Sequence, residues 1–125
     1  MPDLETETST HERTSDGILI SRMKNHAFES YEHSVENGEV LLKLKGDDPP
    51  MPLLVDFARA SGQSMESRKY YAEKSGQWCS KAALLVRSPV SRVIGNIYMG
   101  LNKPIVPTRM FTDEEKAMEW LREKP

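Results

Sequence analysis

The chain has 125 residues, with 17 Lys and Arg against 19 Asp and Glu, a formal net charge of −2 and a single cysteine. That length suits one domain over residues 1–125, with a core that needs neither disulfide nor metal, and a lone Cys79 points to a reducing cytoplasm. The start Met1-Pro2-Asp3-Leu4-Glu5 is unlike a signal peptide, no apolar run reaches membrane-span length, and the basic residues form no run suited to nucleic acid, so a soluble cytoplasmic domain is expected.

In chain order, ETETSTHER at 5–13 alternates and is rich in Thr, Ser15-Asp16-Gly17 makes a turn, and ILISRMK follows. This predicts an antiparallel hairpin with Asp16-Gly17 at its tip. Over 27–45, Phe28, Tyr31, Val35 and Leu42 keep helical spacing. Asn37-Gly38 could instead turn a second hairpin, but the helix is preferred because its spacing spans the whole segment. After Pro49-Pro50-Met51-Pro52, LLVDF at 53–57 is a short strand, ARASGQ a loop, and Ser64 can N-cap a helix through Tyr70, Tyr71 and Ala72. AALLV at 82–86 is the next strand, and Ser88 with Pro89 caps and starts a helix. IVPTRMF is a third strand, which Pro107 confines to an edge, and Thr112 with Glu115 reads as a capping box ahead of Ala117, Trp120 and Leu121.

Alternating strands and helices predict βαβ units and a largely parallel sheet, and the consecutive apolar positions predict that both its faces are covered. Right-handed crossovers would put all the helices on one side. The second face then needs the N-terminal hairpin, a partner chain or a bound apolar ligand.

The helix from Pro89 carries the most distinctive pattern. Val90, Val93, Ile94, Ile97 and Leu101 make an apolar stripe expected to face the sheet, with Ser91, Gly95 and Met99 on the far side beside Arg92 and Asn96. Gly100 fits helix termination, whereas a mid-helix glycine costs about 1 kcal/mol relative to alanine. Gly95 therefore implies a close approach, either by another part of this chain or by a partner backbone. No Asp or Glu lies between Glu73 and Asp113, so Arg87, the Ser88 hydroxyl and Arg92 form a candidate anion site at the helix start.

SDGILISRMK, LLVDF and AALLVRSPVSRVIGNIYMGLNKPIVPTRMFTDEEKAMEWL together resemble the bacterial SpoIIAA-like proteins, a group related to STAS domains and sometimes linked to CRAL-TRIO lipid-transfer folds. The resemblance covers about residues 15–122 and implies a SpoIIAA-like β-α superhelix with a mostly parallel four-stranded sheet, preceded here by the hairpin, and no established catalytic activity. In the anti-anti-sigma members a serine of an Asp-Ser-Ser-Gly loop is phosphorylated. Here Ser61-Gly62 matches the second half of that motif, while Arg59 and Ala60 replace the first, so Ser61 and Ser64 are phosphorylation candidates with ordinary turn and N-cap roles as the favoured alternative.

Chemistry-bearing residues elsewhere are sparse. His26, Glu29 and His33 could share a helical face without completing a ligand set; no metal or cofactor is implied. Cys79, with Lys81 expected on the same face of a strand, and Asp56 at a strand end are isolated candidates for an enzyme. The expected function is a non-enzymatic STAS-like interaction or regulatory module, self-associating or meeting a protein partner through Ser91, Arg92, Gly95 and Met99. The alternative is a binding protein for a small or lipid-like anionic ligand at Arg87, Ser88 and Arg92.

Overall fold

A turn held by its own side chains begins the sheet. Thr14 N–H donates to Ile18 O at 2.8 Å, Ile18 N–H to Thr14 Oγ1 at 2.9 Å, and Gly17 takes φ +87°, a left-handed conformation that suits glycine. The turn joins β2 (Ser9–Arg13) to β3 (Leu19–Met23) in the expected antiparallel hairpin, with His11 opposite Ser21. A short β1 (Leu4–Glu5) adds to its outer edge. The computed structural model describes residues 4–101 and 105–123.

The remaining elements are β4 (Phe28–Glu29), α1 (Tyr31–Lys45), β5 (Met51–Asp56), β6 (Gly62–Gln63), α2 (Met65–Lys74), a 3-10 turn (Ser75–Gln77), β7 (Cys79–Leu85), α3 (Pro89–Leu101), β8 (Thr108–Phe111) and α4 (Glu114–Arg122). The main sheet is six-stranded and mixed, in the order β1-β2-β3-β5-β7-β8. This corrects the four-stranded expectation, because the hairpin is continuous with the sheet. The strands β3, β5, β7 and β8 run parallel within it, and β4 pairs with β6 in a separate parallel pair. β8 lies at the edge, as Pro107 predicts.

Two local readings change and one, the preference for helix over a turn at Asn37-Gly38, holds. The helix expected from Ala27 starts at Tyr31, because Phe28–Glu29 pairs with Gly62–Gln63 and Ser30 caps the helix in a capping box with His33. Asn37-Gly38 lies inside α1. The α4 cap is Asp113 instead of Thr112, its carboxylate accepting from Glu115 N–H at 2.9 Å. Ser64 caps α2 as expected, accepting from Ser67 N–H at 3.0 Å.

Helices cover both sheet faces. Ala117, Met118 and Leu121 of α4 pack on Ile18, Ile20, Leu54, Ala83 and Leu85. On the opposite face, Leu41 of α1 packs with Leu19 and Leu53, while Ala72 of α2 and Ile94 of α3 pack with Leu84 and Val86. The crossover rule constrains helices that return to a following strand, and α4 follows the last described strand. It is therefore free to cover the face assigned to the hairpin, a partner or a ligand.

Candidate functional site

The outer face of α3 is not the one its apolar spacing suggests. Ser91 is fully buried, Gly95 is buried and Met99 packs against the core, while Val90 and Val93 are 50% and 55% exposed. This corrects the expected interface: Ser91, Gly95 and Met99 face inward, and of the four residues only Arg92 is exposed. The close approach at Gly95 comes from this chain. A Cβ there would lie 3.1 Å from both Met110 Cε and Val86 Cγ1, so the missing side chain lets α3 settle onto β8 and the end of β7.

Two of the three anion candidates, Arg87 and Ser88, have partners within the chain. Ser88 Oγ accepts from Ser91 N–H at 3.0 Å, and Ser91 Oγ accepts from the Arg87 and Ser88 N–H groups at 3.0 and 2.9 Å, so the donors at the start of α3 are largely engaged internally. Arg87 lies 4.0 Å from Glu114 Oε1, an acid that α4 brings from outside the acid-free interval. Arg22 also grips Glu114, at 2.8 and 2.9 Å, and reaches Asp56 at 2.9 Å. This bidentate pairing lowers the Glu114 carboxyl below its usual range.

The isolated candidates have structural partners. Asp56 Oδ1 accepts from Ala58 N–H at 2.9 Å and so organises the loop after β5. Cys79 is buried, its thiol pushed up to about 12 by desolvation, which opposes thiolate chemistry. Lys81 does not share its face: the β5–β7 register shifts between Cys79 and Lys81, and the Lys81 ammonium instead donates to Trp120 O and Glu123 O on the α4 side. Ser61 is exposed and donates to Ala27 O at 3.1 Å, whereas Ser64 is occupied as the α2 cap. His26 lies in an exposed turn at φ +60°, Glu29 in β4 and His33 in α1, so they share no helical face.

A different constellation emerges between the sheet and the α1–α2 layer. The Glu29 carboxylate, only 2% exposed, accepts from Tyr71 Oη at 2.7 Å, Asn37 Nδ2 at 2.5 Å, Gln63 Nε2 at 2.9 Å and Ser67 Oγ at 3.3 Å. Burial raises its pKa, and these donors oppose the rise. Donation to Glu29 orients the Asn37 amide, leaving its Oδ1 to accept from His11 Nε2 at 3.0 Å. That assigns the His11 proton to Nε2, so Nδ1 accepts from Ser21 Oγ at 2.8 Å. Burial lowers the His11 pKa and favours this neutral ring. Gly38 makes room beside Asn37, since a Cβ there would come within 3.1 Å of the buried Trp78 ring.

This network borders a cavity of about 60 Å³. Much of its wall is apolar, including Leu41, Leu53, Phe57, Trp78 and Leu84. Gln63 Oε1, Ser75 Oγ and Trp78 Nε1 belong to wall residues, are buried, and have no hydrogen-bond partner among the described residues. The sequence reading missed this site. Its available signal was Asn37 on the inner side of an otherwise helical pattern.

The parallel β3-β5-β7-β8 core with helices on both faces is an α/β arrangement of the SpoIIAA-like class. An uncharacterised protein of the DUF3478 family with a SpoIIAA-like fold, from Shewanella loihica PV-4, matches over 94% of this chain and 98% of its own, at 16% identity and a TM-score of 0.59. The chain belongs to the family described as a domain of unknown function, DUF7793, whose model matches residues 13–124. A protein with unknown function from Arthrobacter sp. FB24 is 30% identical, covering 96% of this chain and 97% of its own, with a TM-score of 0.34. No curated protein matches the chain.

Proposed function

We propose that the protein is a non-enzymatic binding module whose internal cavity accepts a compact small molecule. The observation that carries this reading is the cavity of about 60 Å³ beside the Glu29 network. At roughly 24 cal/mol per Å³, such a space in an otherwise packed core costs about 1.4 kcal/mol, which larger side chains at Ala82 or Leu84 could recover. Apolar walls favour a guest with an apolar body, and the unpartnered polar atoms that belong to wall residues favour one with a polar end. The reading does not require an anion, because Ser88 and Arg87 have partners within the fold.

Xenon or isopropanol, titrated into isotopically labelled protein, should shift the methyl resonances of Leu53 and Leu84. Ala82→Val adds two methyl groups at the wall and should abolish those shifts while raising stability by up to about 1 kcal/mol. Unmoved wall methyls at saturating probe would overturn the reading.

Self-association remains a second reading, carried by the exposed Val90 and Val93 of α3. The double substitution Val90→Asp with Val93→Asp should convert any assembled species to monomer in sedimentation, while changing stability by no more than about 0.5 kcal/mol. A wild type that is monomeric at high concentration would remove this reading.

A further inference from the structure

We infer that the cavity selects a compact primary amine, its ammonium group donating to the Gln63 side-chain oxygen and its charge offsetting that of the neighbouring Glu29 carboxylate. This inference rests on the cavity-binding reading and adds the chemical class of the ligand. Gln63 is 6% exposed and its Nε2 is committed to Glu29 Oε1 at 2.9 Å. That contact fixes the amide orientation and leaves Oε1, an acceptor, without a partner among the described residues. The complementary ligand group must donate.

Charge narrows the class further. The four groups that donate to Glu29 belong to Asn37, Tyr71, Gln63 and Ser67, and all are neutral. Among the described residues, no Lys or Arg forms a salt bridge with Glu29. An ammonium supplies the countercharge that a buried carboxylate otherwise lacks, together with several N–H donors. An alcohol supplies one donor and no charge, and a carboxylate ligand would meet Glu29 as a like charge. The Leu53, Phe57 and Leu84 walls suit the alkyl part of the amine. Ser75 Oγ and Trp78 Nε1, also unpartnered, offer a place for a hydroxyl or carbonyl oxygen on the same ligand.

Three probes with four non-hydrogen atoms each test the inference at neutral pH: isopropylamine, isopropanol and acetate, titrated into full-length protein labelled at Glu Cδ and Leu methyls. Isopropylamine should move the Glu29 Cδ and Leu53 methyl signals together and bind at least tenfold more tightly than isopropanol, with acetate leaving both unmoved. Glu29→Gln should remove the tenfold preference while retaining isopropanol binding. If that variant does not fold, the wild-type Glu29 Cδ response decides the question. Isopropanol binding as tightly as the amine, or an amine response confined to surface carboxylates while isopropanol moves the wall, overturns the amine inference and leaves the cavity reading standing. Wall methyls unmoved by all three probes and by xenon overturn both.

Discussion

Glu29→Leu is expected to lower the stability of the protein by about 3–5 kcal/mol, a large share of the roughly 5–15 kcal/mol typical of a folded domain. Leucine fills much of the space but accepts no hydrogen bonds. Gln63 Nε2 and Tyr71 Oη then lose their acceptor inside the fold, and an unsatisfied buried donor costs about 1–3 kcal/mol, while Asn37 Nδ2 loses its shortest bond but still donates to Thr8 Oγ1 at 3.1 Å. Ser67 is less affected, because its bond to Glu29 is already long at 3.3 Å. Glu29→Gln, which keeps one strong acceptor, should lie between the two. Urea unfolding measures the difference, and a Glu29→Leu midpoint equal to that of wild type would mean that the network contributes little to folding.

The same network sets a pH dependence. The folded-state pKa of Glu29 is raised, so the folded protein holds that proton more tightly than the unfolded chain. Its contribution is fully present below the unfolded carboxyl value of 4.5 and is lost as pH rises through the folded value. His11 has a lowered folded pKa, so its effect is opposite: stability falls as pH drops from 6.5 through the folded value. In unfolding curves across this range, Glu29→Gln should remove the decline towards higher pH while retaining the His11-linked decline towards acid. An unchanged profile would count against a linked Glu29 titration.

Local chemistry made much of the fold legible. Asp16-Gly17 identified the hairpin because the turn closes through its immediate neighbours, and Ser64 identified the start of α2 because a cap acts within one turn. The candidate site was less accessible, since His11, Glu29, Asn37, Gln63 and Tyr71 come from five separate elements and become one network only when α1 and α2 close over the sheet. A one-residue irregularity in β7 was enough to separate the expected Cys79–Lys81 pair onto different faces. Arg87 lacked an acid in its own sequence interval, but tertiary packing supplied Glu114. The face of α3 was misread for a related reason: two faces of this helix carry apolar residues, and backbone approach decided between them. Gly95 provided the clue to that approach.

Gly95→Leu should therefore lower stability by about 3 kcal/mol without acting through an intermolecular surface. The introduced side chain would have to enter the contact of α3 with Val86 and Met110, where even a Cβ comes within 3.1 Å of two atoms. Gly95→Ala separates the opposing effects. Alanine gains about 1 kcal/mol of helix propensity, but its methyl needs both neighbours to move by a few tenths of an ångström. The flexible Met110 thioether can yield, whereas Val86, 1% exposed and β-branched, has less freedom. The net change for alanine should thus stay within about 1 kcal/mol. Denaturant unfolding should show a large leucine penalty and a small alanine effect, the same at every protein concentration. A leucine variant with wild-type stability would place Gly95 away from this internal contact and restore the outward-facing orientation of the Ser91, Gly95 and Met99 strip.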